Sequence, residues 1–72
     1  MIRWGVIGLG NMASKFCEAI KEVDNAELKG ISSKSKLSLT KFGKNFDIDE
    51  KYQFNHYQEL INCSDIDAVY IS

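Results

Sequence analysis

Proline is absent from the 72 residues. No helix therefore carries a proline break, and no proline-rich linker divides the chain. Cysteine is scarce: Cys17 and Cys63 lie far apart in sequence, with no C-x-x-C or Cys/His ligand spacing. The one histidine, His56, adds too little for a structural zinc site, which needs about four ligands. Cys17 falls on the apolar face of a helical segment, where a thiol acts as a small buried hydrophobe. Cys63 stands near a helix end, and neither cysteine carries a redox motif. Neither sign of charge dominates, with 9 Lys and Arg against 10 Asp and Glu. That balance provides no basic face for nucleic acid and no polycationic patch for a membrane surface. No apolar run approaches the ~20 residues of a membrane span, and no signal-peptide pattern is present, so a cytoplasmic location is expected. Low-complexity segments and internal repeats are also missing. The length allows one small domain, and a chain of this size buries only about 60% of its unfolded surface.

What is present is an alternation of strand and helix. Ile2–Ile7 is a β-branched run that predicts a first strand. Over Asn11–Val23, Met12, Ala13, Phe16, Ile20 and Val23 recur at helical spacing, with Lys15, Glu18, Lys21 and Glu22 on the other face. Asp24-Asn25 is a turn signal, and Ala26–Ser32 reads as a second strand. Ser35 is placed to cap a second helix running to about Asn45, with Leu39, Phe42 and Phe46 on its inner side. Gly43 weakens the last turn of that helix by about 1 kcal/mol relative to alanine. A third strand is expected over Lys51–Phe54 and a short helix over Tyr57–Asn62, with Leu60 and Ile61 inward. A fourth strand is expected over Ala68–Ser72. Such alternation implies right-handed crossovers and a parallel α/β sheet. A doubly wound, Rossmann-type arrangement orders the strands 3-2-1-4, with the switch point between the first and fourth. A fourth strand ending at Ser72 leaves an open apolar edge. The chain accordingly reads as the N-terminal portion of a larger dinucleotide-binding domain, truncated after strand 4, with any substrate domain absent.

The first strand runs directly into Gly8-Leu9-Gly10-Asn11-Met12-Ala13. This is the spacing G-x-G-x-x-A of the dinucleotide-binding fingerprint. Gly8 permits the tight turn, Gly10 lets the backbone approach a pyrophosphate, and Ala13 lets the helix pack close to the strand. The first free N–H groups of that helix then face the phosphates, where the helix dipole favours negative charge. The end of the second strand bears on which dinucleotide. An NAD site places Asp or Glu there, about 20 residues beyond the turn, to accept hydrogen bonds from the ribose hydroxyls. That count lands in Ile31-Ser32-Ser33-Lys34-Ser35-Lys36, which has no carboxylate, and Glu27 stands at the wrong end of the strand. Hydroxyls and ammonium groups at this place suit a 2′-phosphate, which favours NADP over NAD and argues against FAD. The plainer alternative is a solvated, capped helix start.

With these residues in place, the chain resembles the start of the glucose–fructose oxidoreductase / inositol dehydrogenase (Gfo/Idh/MocA-type) family. The resemblance lies in Ile2–Phe16, with its Arg-Trp-Gly lead-in and glycine turn, and in the strand ending Ile31–Ser35. It extends to Tyr57–Ile61, similar to the family's Tyr-Glu-Glu-Leu-Leu helix, and to Asp65–Ser72, similar to its fourth strand. It implies that Gly8, Gly10, Asn11 and Met12 line the pyrophosphate. It further implies that Ser33 and Lys34 hold the adenosine 2′-phosphate, with Lys in place of the more usual Arg, and that Ser72 lies near the nicotinamide ribose. The implied activity is hydride transfer between NADP(H) and a sugar, polyol or related hydroxyl/carbonyl compound. In the family, a lysine of a Glu-Lys-Pro motif handles the proton. Lys44 and Lys51 match no such motif, so the 72 residues are expected to be inactive alone and to carry no catalytic residue. The small-molecule substrate, and any homo-oligomer, belong to a full-length protein. His56 reads as an exposed turn or cap residue away from the cofactor crevice. Two other classes remain open: a non-enzymatic dinucleotide sensor of the same fold, and an S-adenosylmethionine-dependent methyltransferase. The latter usually wants another glycine in the turn and an acid after strand two.

Overall fold

A computed structural model describes residues 1–72. Its elements are β1 (Ile2–Ile7), α1 (Asn11–Lys21), β2 (Ala26–Ser32), α2 (Lys36–Asn45), β3 (Gln53–Phe54), α3 (Tyr57–Ile61) and β4 (Ala68–Ile71). A single 3-10 turn, Glu50–Tyr52, precedes β3. All pairings are parallel and the strand order is β3-β2-β1-β4, the order expected from the alternation of elements. The helices cover both faces. Trp4 and Val6 point to the side of α1 and α2, where Val6, Ala13, Cys17, Ile31, Leu39 and Phe42 form the core. Phe16 of α1 stacks on Tyr70 of β4 at 4.0 Å between ring centroids and meets Trp4 edge-on at 5.2 Å.

The opposite face is built on glycine. A Cβ at Gly5 would lie 2.7 Å from Leu60 Cδ2, so Leu60 of α3 occupies the space that a side chain at this position would take. Leu60 is fully buried there, and truncating such a residue to alanine costs roughly 2–5 kcal/mol. A register shift supports it: Trp4 pairs with Leu28, but Gly5 pairs with Gly30, so Lys29 is the extra residue of a bulge. Two glycines thus stand side by side beneath Leu60 and Ile66. No helix of the structure is long and apolar enough to cross a membrane.

Several expected boundaries move, each for a local reason. Helix α1 ends at Lys21, not Val23. Its last turn tightens as Glu22 N–H donates to the Ala19 carbonyl and Val23 N–H to that of Ile20, leaving Val23 half exposed. Met12, placed on the apolar face by its spacing, is 60% exposed, while its neighbour Ala13 is the buried residue of the first turn. Only Gln53–Phe54 pair with β2, since Lys51 N–H is held by the Asp49 carboxylate in the 3-10 turn. Asn62 caps α3 rather than extending it. Five residues give α3 one inward position, which Leu60 takes, so Ile61 is 52% exposed. Ser72 lies one residue beyond β4. Gly43 lies inside α2, and the Gln53 side-chain amide packs against it in the space that a Cβ would take.

The register of β4 is locked at its start. Arg3 Nη2 and Nε each reach a carboxylate oxygen of Asp67 at 2.9 Å, and Arg3 N–H donates to the same group at 2.8 Å. Asp67 N–H returns a bond to the Arg3 carbonyl at 2.7 Å. The paired guanidinium holds the Asp67 carboxyl down at about 2. Asp65 is also held below the carboxylate range, first by the hydrogen bond from the Tyr52 hydroxyl at 2.5 Å. A carboxyl depressed on folding contributes stability above its unfolded value, near 3.9, and loses it as pH falls through its folded value. Stability is therefore expected to fall between roughly pH 4 and pH 2, and Asp67→Asn should make that fall shallower in urea titrations run across this range. An unchanged acid slope in Asp67→Asn would remove the assignment.

Candidate dinucleotide site

The C-terminal ends of parallel strands and the N-termini of the helices that follow them share one edge of the sheet. At that edge β1 turns through Gly8, whose φ of +87° is a conformation that L side chains rarely adopt. The turn is pinned on both sides. Gly8 N–H donates to the Ser32 carbonyl of β2 at 3.0 Å, and Ser72 Oγ donates to the Gly8 carbonyl at 3.1 Å. A Cβ at Gly8 would also press on the Ser72 carbonyl oxygen at 3.2 Å. Gly10 differs, because a Cβ added there would meet no atom of the chain within 4 Å. Its role is not to accommodate the protein, which leaves the backbone open to an outside group.

Gly10 is also the N-cap of α1, and as glycine it offers no capping side chain. The first intrahelical bond runs from Ser14 N–H to the Gly10 carbonyl, so the N–H groups of Asn11, Met12 and Ala13 have no partner within the helix. No acidic residue stands in this first turn. An anion at this point receives free donors and the positive end of the dipole. Asn11 and Met12 are exposed there, and Ala13 is fully buried against the sheet. Helix α2 contrasts with α1, since Ser35 Oγ caps it by accepting from Ser38 N–H at 3.2 Å.

Beside the turn, a cleft of about 450 Å³ is lined by Ile7, Gly8, Ser32, Ser33 and Lys34 on one side and by Asn55, His56, Tyr57 and Gln58 on the other. No carboxylate is among these residues, and Lys34 is the cation. Ser33 Oγ accepts from Ser35 N–H at 3.1 Å, which leaves its own hydrogen free to donate. The structure thus brings Gly8, Ser33 and Lys34 around one cleft. It sets Gly10, Asn11 and Met12 next to it in the chain, at the start of α1, and Ser72 against the other side of the turn.

The expectation that His56 stands away from the crevice is corrected. It is exposed at the N-cap of α3, as its position suggests, yet it lines this cleft. The cause is non-local: β3 pairs with the end of β2, Ser32 opposite Phe54, and carries the following residues alongside Ser33 and Lys34. Asn55, which sequence reading passes over, arrives by the same pairing. Its one sequence signal is an asparagine in a two-residue joint between strand and helix. Cys17 is buried on the inner face of α1, and burial pushes its thiol up to about 11, away from any reactive form.

The model of an oxidoreductase family with an NAD-binding Rossmann fold matches residues 2–72. Among solved structures, the chain is similar to a probable dehydrogenase from Thermotoga maritima, with TM-score 0.90 and 30% identity over 97% of this chain and 20% of that one. It is also similar to scyllo-inositol dehydrogenase from Lactobacillus casei with bound NAD(H) and scyllo-inositol, with TM-score 0.85 and 26% identity over 99% of this chain and 21% of that one. A variant of KijD10, a 3-ketoreductase from Actinomadura kijaniata in complex with TDP-benzene and NADP, gives TM-score 0.85 and 28% identity over 97% of this chain and 22% of that one. The chain spans about a fifth of the length of these structures. No curated protein matches it.

Proposed function

Because the chain belongs to the Gfo/Idh/MocA family of oxidoreductases with an NAD-binding Rossmann fold, we propose that residues 1–72 form the N-terminal portion of a dinucleotide-binding domain that prefers NADP(H). On this reading the protein serves hydride transfer to or from a sugar, polyol or related hydroxyl/carbonyl compound. The observation that carries the NADP preference is the cleft lining, where Ser33 and Lys34 stand at the end of β2 and no carboxylate does. A carboxylate would hold ribose hydroxyls and repel a 2′-phosphate, whereas a hydroxyl donor and an ammonium attract it. Similar structures with NAD(H) and with NADP support the same grip serving either dinucleotide, the choice falling to this strand end.

The residues present fit such a cofactor. Gly8 makes the turn, Gly10 leaves the space of a Cβ open, and the free N–H groups of Asn11 and Met12 suit a pyrophosphate. Ser33 and Lys34 would hold the 2′-phosphate, and Ser72, bound to Gly8, would stand toward the nicotinamide ribose. The bound cofactor supplies the hydride, and these residues supply orientation and charge complementarity. None of them is placed to move a proton, so the 72 residues are assigned no catalytic role of their own.

Calorimetric titration with the two reduced cofactors tests the proposal. NADPH is expected to bind at least about tenfold more tightly than NADH, the weight of one charge-assisted hydrogen bond. Equal affinities, or a preference for NADH, overturn the NADP assignment. The same 72 residues mixed with NADPH and an oxidised sugar are expected to show no cofactor oxidation.

A further inference from the structure

Asn55 makes the one side-chain link between the two walls of the cleft that the hydrogen bonds record. It stands in the joint between β3 and α3, and its Nδ2 donates to the Ser33 carbonyl at 3.0 Å and to the Lys34 carbonyl at 3.2 Å. An amide nitrogen has two hydrogens, and both are used. The orientation of the amide follows from its partners, since the flipped group would set an oxygen against two carbonyl oxygens. Ser33 is held from a second direction as its N–H donates to the Phe54 carbonyl at 3.1 Å, and from a third as its Oγ accepts from Ser35 N–H. Lys34 is otherwise loosely held. Its N–H has no backbone acceptor, and the residue is exposed. The Lys34–Ser35 peptide has two ties, the Ser35 N–H bond within the loop and the carbonyl bond to Asn55, and only the second anchors it to the opposite wall.

We propose that Asn55 is a positioning residue for cofactor discrimination: by holding the Ser33 and Lys34 carbonyls it keeps their hydroxyl and ammonium groups directed at a 2′-phosphate. The proposal rests on the NADP reading above for its ligand, and on the Asn55 bonds alone for its mechanics. Releasing the loop lets Lys34 spread over many rotamers, and each ordering of a long side chain weakens the contact it makes.

The test titrates NADPH and NADH against the protein carrying Asn55→Ala, with and without Lys34→Ala. The expected result is an NADPH affinity lowered about tenfold and an NADH affinity lowered less than about threefold, the loss of two neutral hydrogen bonds acting through one charged contact. Once Lys34 is removed, Asn55→Ala should cost NADPH clearly less than it does in the wild type, only the share carried by Ser33, because Asn55 and Lys34 act on the same contact. Equal losses for both cofactors, or full additivity with Lys34→Ala, overturn the proposal by showing a merely structural role. Asn55→Ser, which keeps a short donor, takes the place of the alanine variant should that variant not fold, and is expected to give an intermediate loss. A second arm needs no cofactor. Amide exchange at Ser33 and Ser35, whose N–H groups are bonded, should quicken in the variant, and the wild-type Asn55 side-chain amide protons should be protected. An unchanged rate or an unprotected side chain overturns the positioning role whichever nucleotide binds. A wild-type protein without NADPH preference would instead sink the NADP reading and leave this arm to decide the mechanics.

Discussion

Lys34→Asp is expected to reverse the cofactor preference, lowering NADPH affinity about a hundredfold and leaving NADH affinity equal or improved. The magnitude follows from the chemistry at one position. A hydrogen bond to a charged group contributes about 1.5–3 kcal/mol, or roughly one to two decades of affinity, and a carboxylate adds repulsion toward the phosphate. The same carboxylate is the acceptor that an NAD site places at the end of the second strand. No other carboxylate lines the cleft to blur the effect. Lys34 is exposed, so part of the attraction is screened, and the ratio should shrink between low salt and about 0.15 M salt. Lys34→Met separates the two contributions: NADPH should weaken while NADH holds. Lys34→Arg should strengthen NADPH, because a planar fork meets phosphate bidentately where an ammonium acts as a point charge. Fluorescence titration of the four proteins checks this, and an unchanged NADPH affinity in Lys34→Asp would remove Lys34 from the site.

Gly10→Val is expected to keep the fold and lose the cofactor. Its φ of −117° and ψ of −162° are extended backbone that valine adopts readily, and no atom of the chain lies within 4 Å of the added Cβ. The cost to the fold is a modest change of cap, under about 1 kcal/mol, or a few degrees in melting temperature. The branched side chain instead fills the space through which a pyrophosphate would reach the helix N–H groups. Losing charge-assisted bonds there should weaken NADPH about a hundredfold. Gly8 offers the contrast: φ of +87° and the nearby Ser72 carbonyl make any side chain there a burden on the fold itself, about 1–3 kcal/mol from the backbone alone. A melting curve and a titration for Gly10→Val separate the two roles. A large fall in melting temperature, or undiminished binding, would contradict the assignment of Gly10 to the ligand.

Much of this was legible in the chain because it depends on local pattern. A β-branched run before a glycine turn, and helices with apolar residues at i, i+3 and i+4, fix element type. A Rossmann-type doubly wound arrangement, suggested by the glycine turn after the first strand, then orders the strands 3-2-1-4. The position of Lys34 follows from counting, since a strand-helix-strand unit has a nearly constant length. The failures lie where the outcome depends on partners distant in sequence. Met12 and Ile61 satisfy the helical spacing, yet both are exposed, Ile61 because Leu60 takes the one inward position of the five-residue α3. The extent of β3 depends on the Asp49 carboxylate taking the Lys51 N–H. His56 and Asn55 enter the site only because Phe54 pairs with Ser32, a contact that no local periodicity announces. The glycines at positions 5 and 30 carry no signal in sequence beyond being glycine, and their meaning comes from Leu60 and Ile66 pressing on them.

The central claim is that the edge of the sheet holding Gly8, the start of α1 and the end of β2 grips a dinucleotide. Mapping backbone amide shifts of the protein during addition of NADPH tests it most directly. The largest changes are expected at Gly8–Ala13, at Ser33–Ser35 and at Asn55–Gln58, with the signals of Arg3, Asp65 and Asp67 at the opposite end of the sheet unmoved. Changes centred on Arg3 and Asp67, or none at all at saturating NADPH and NADH, would contradict it.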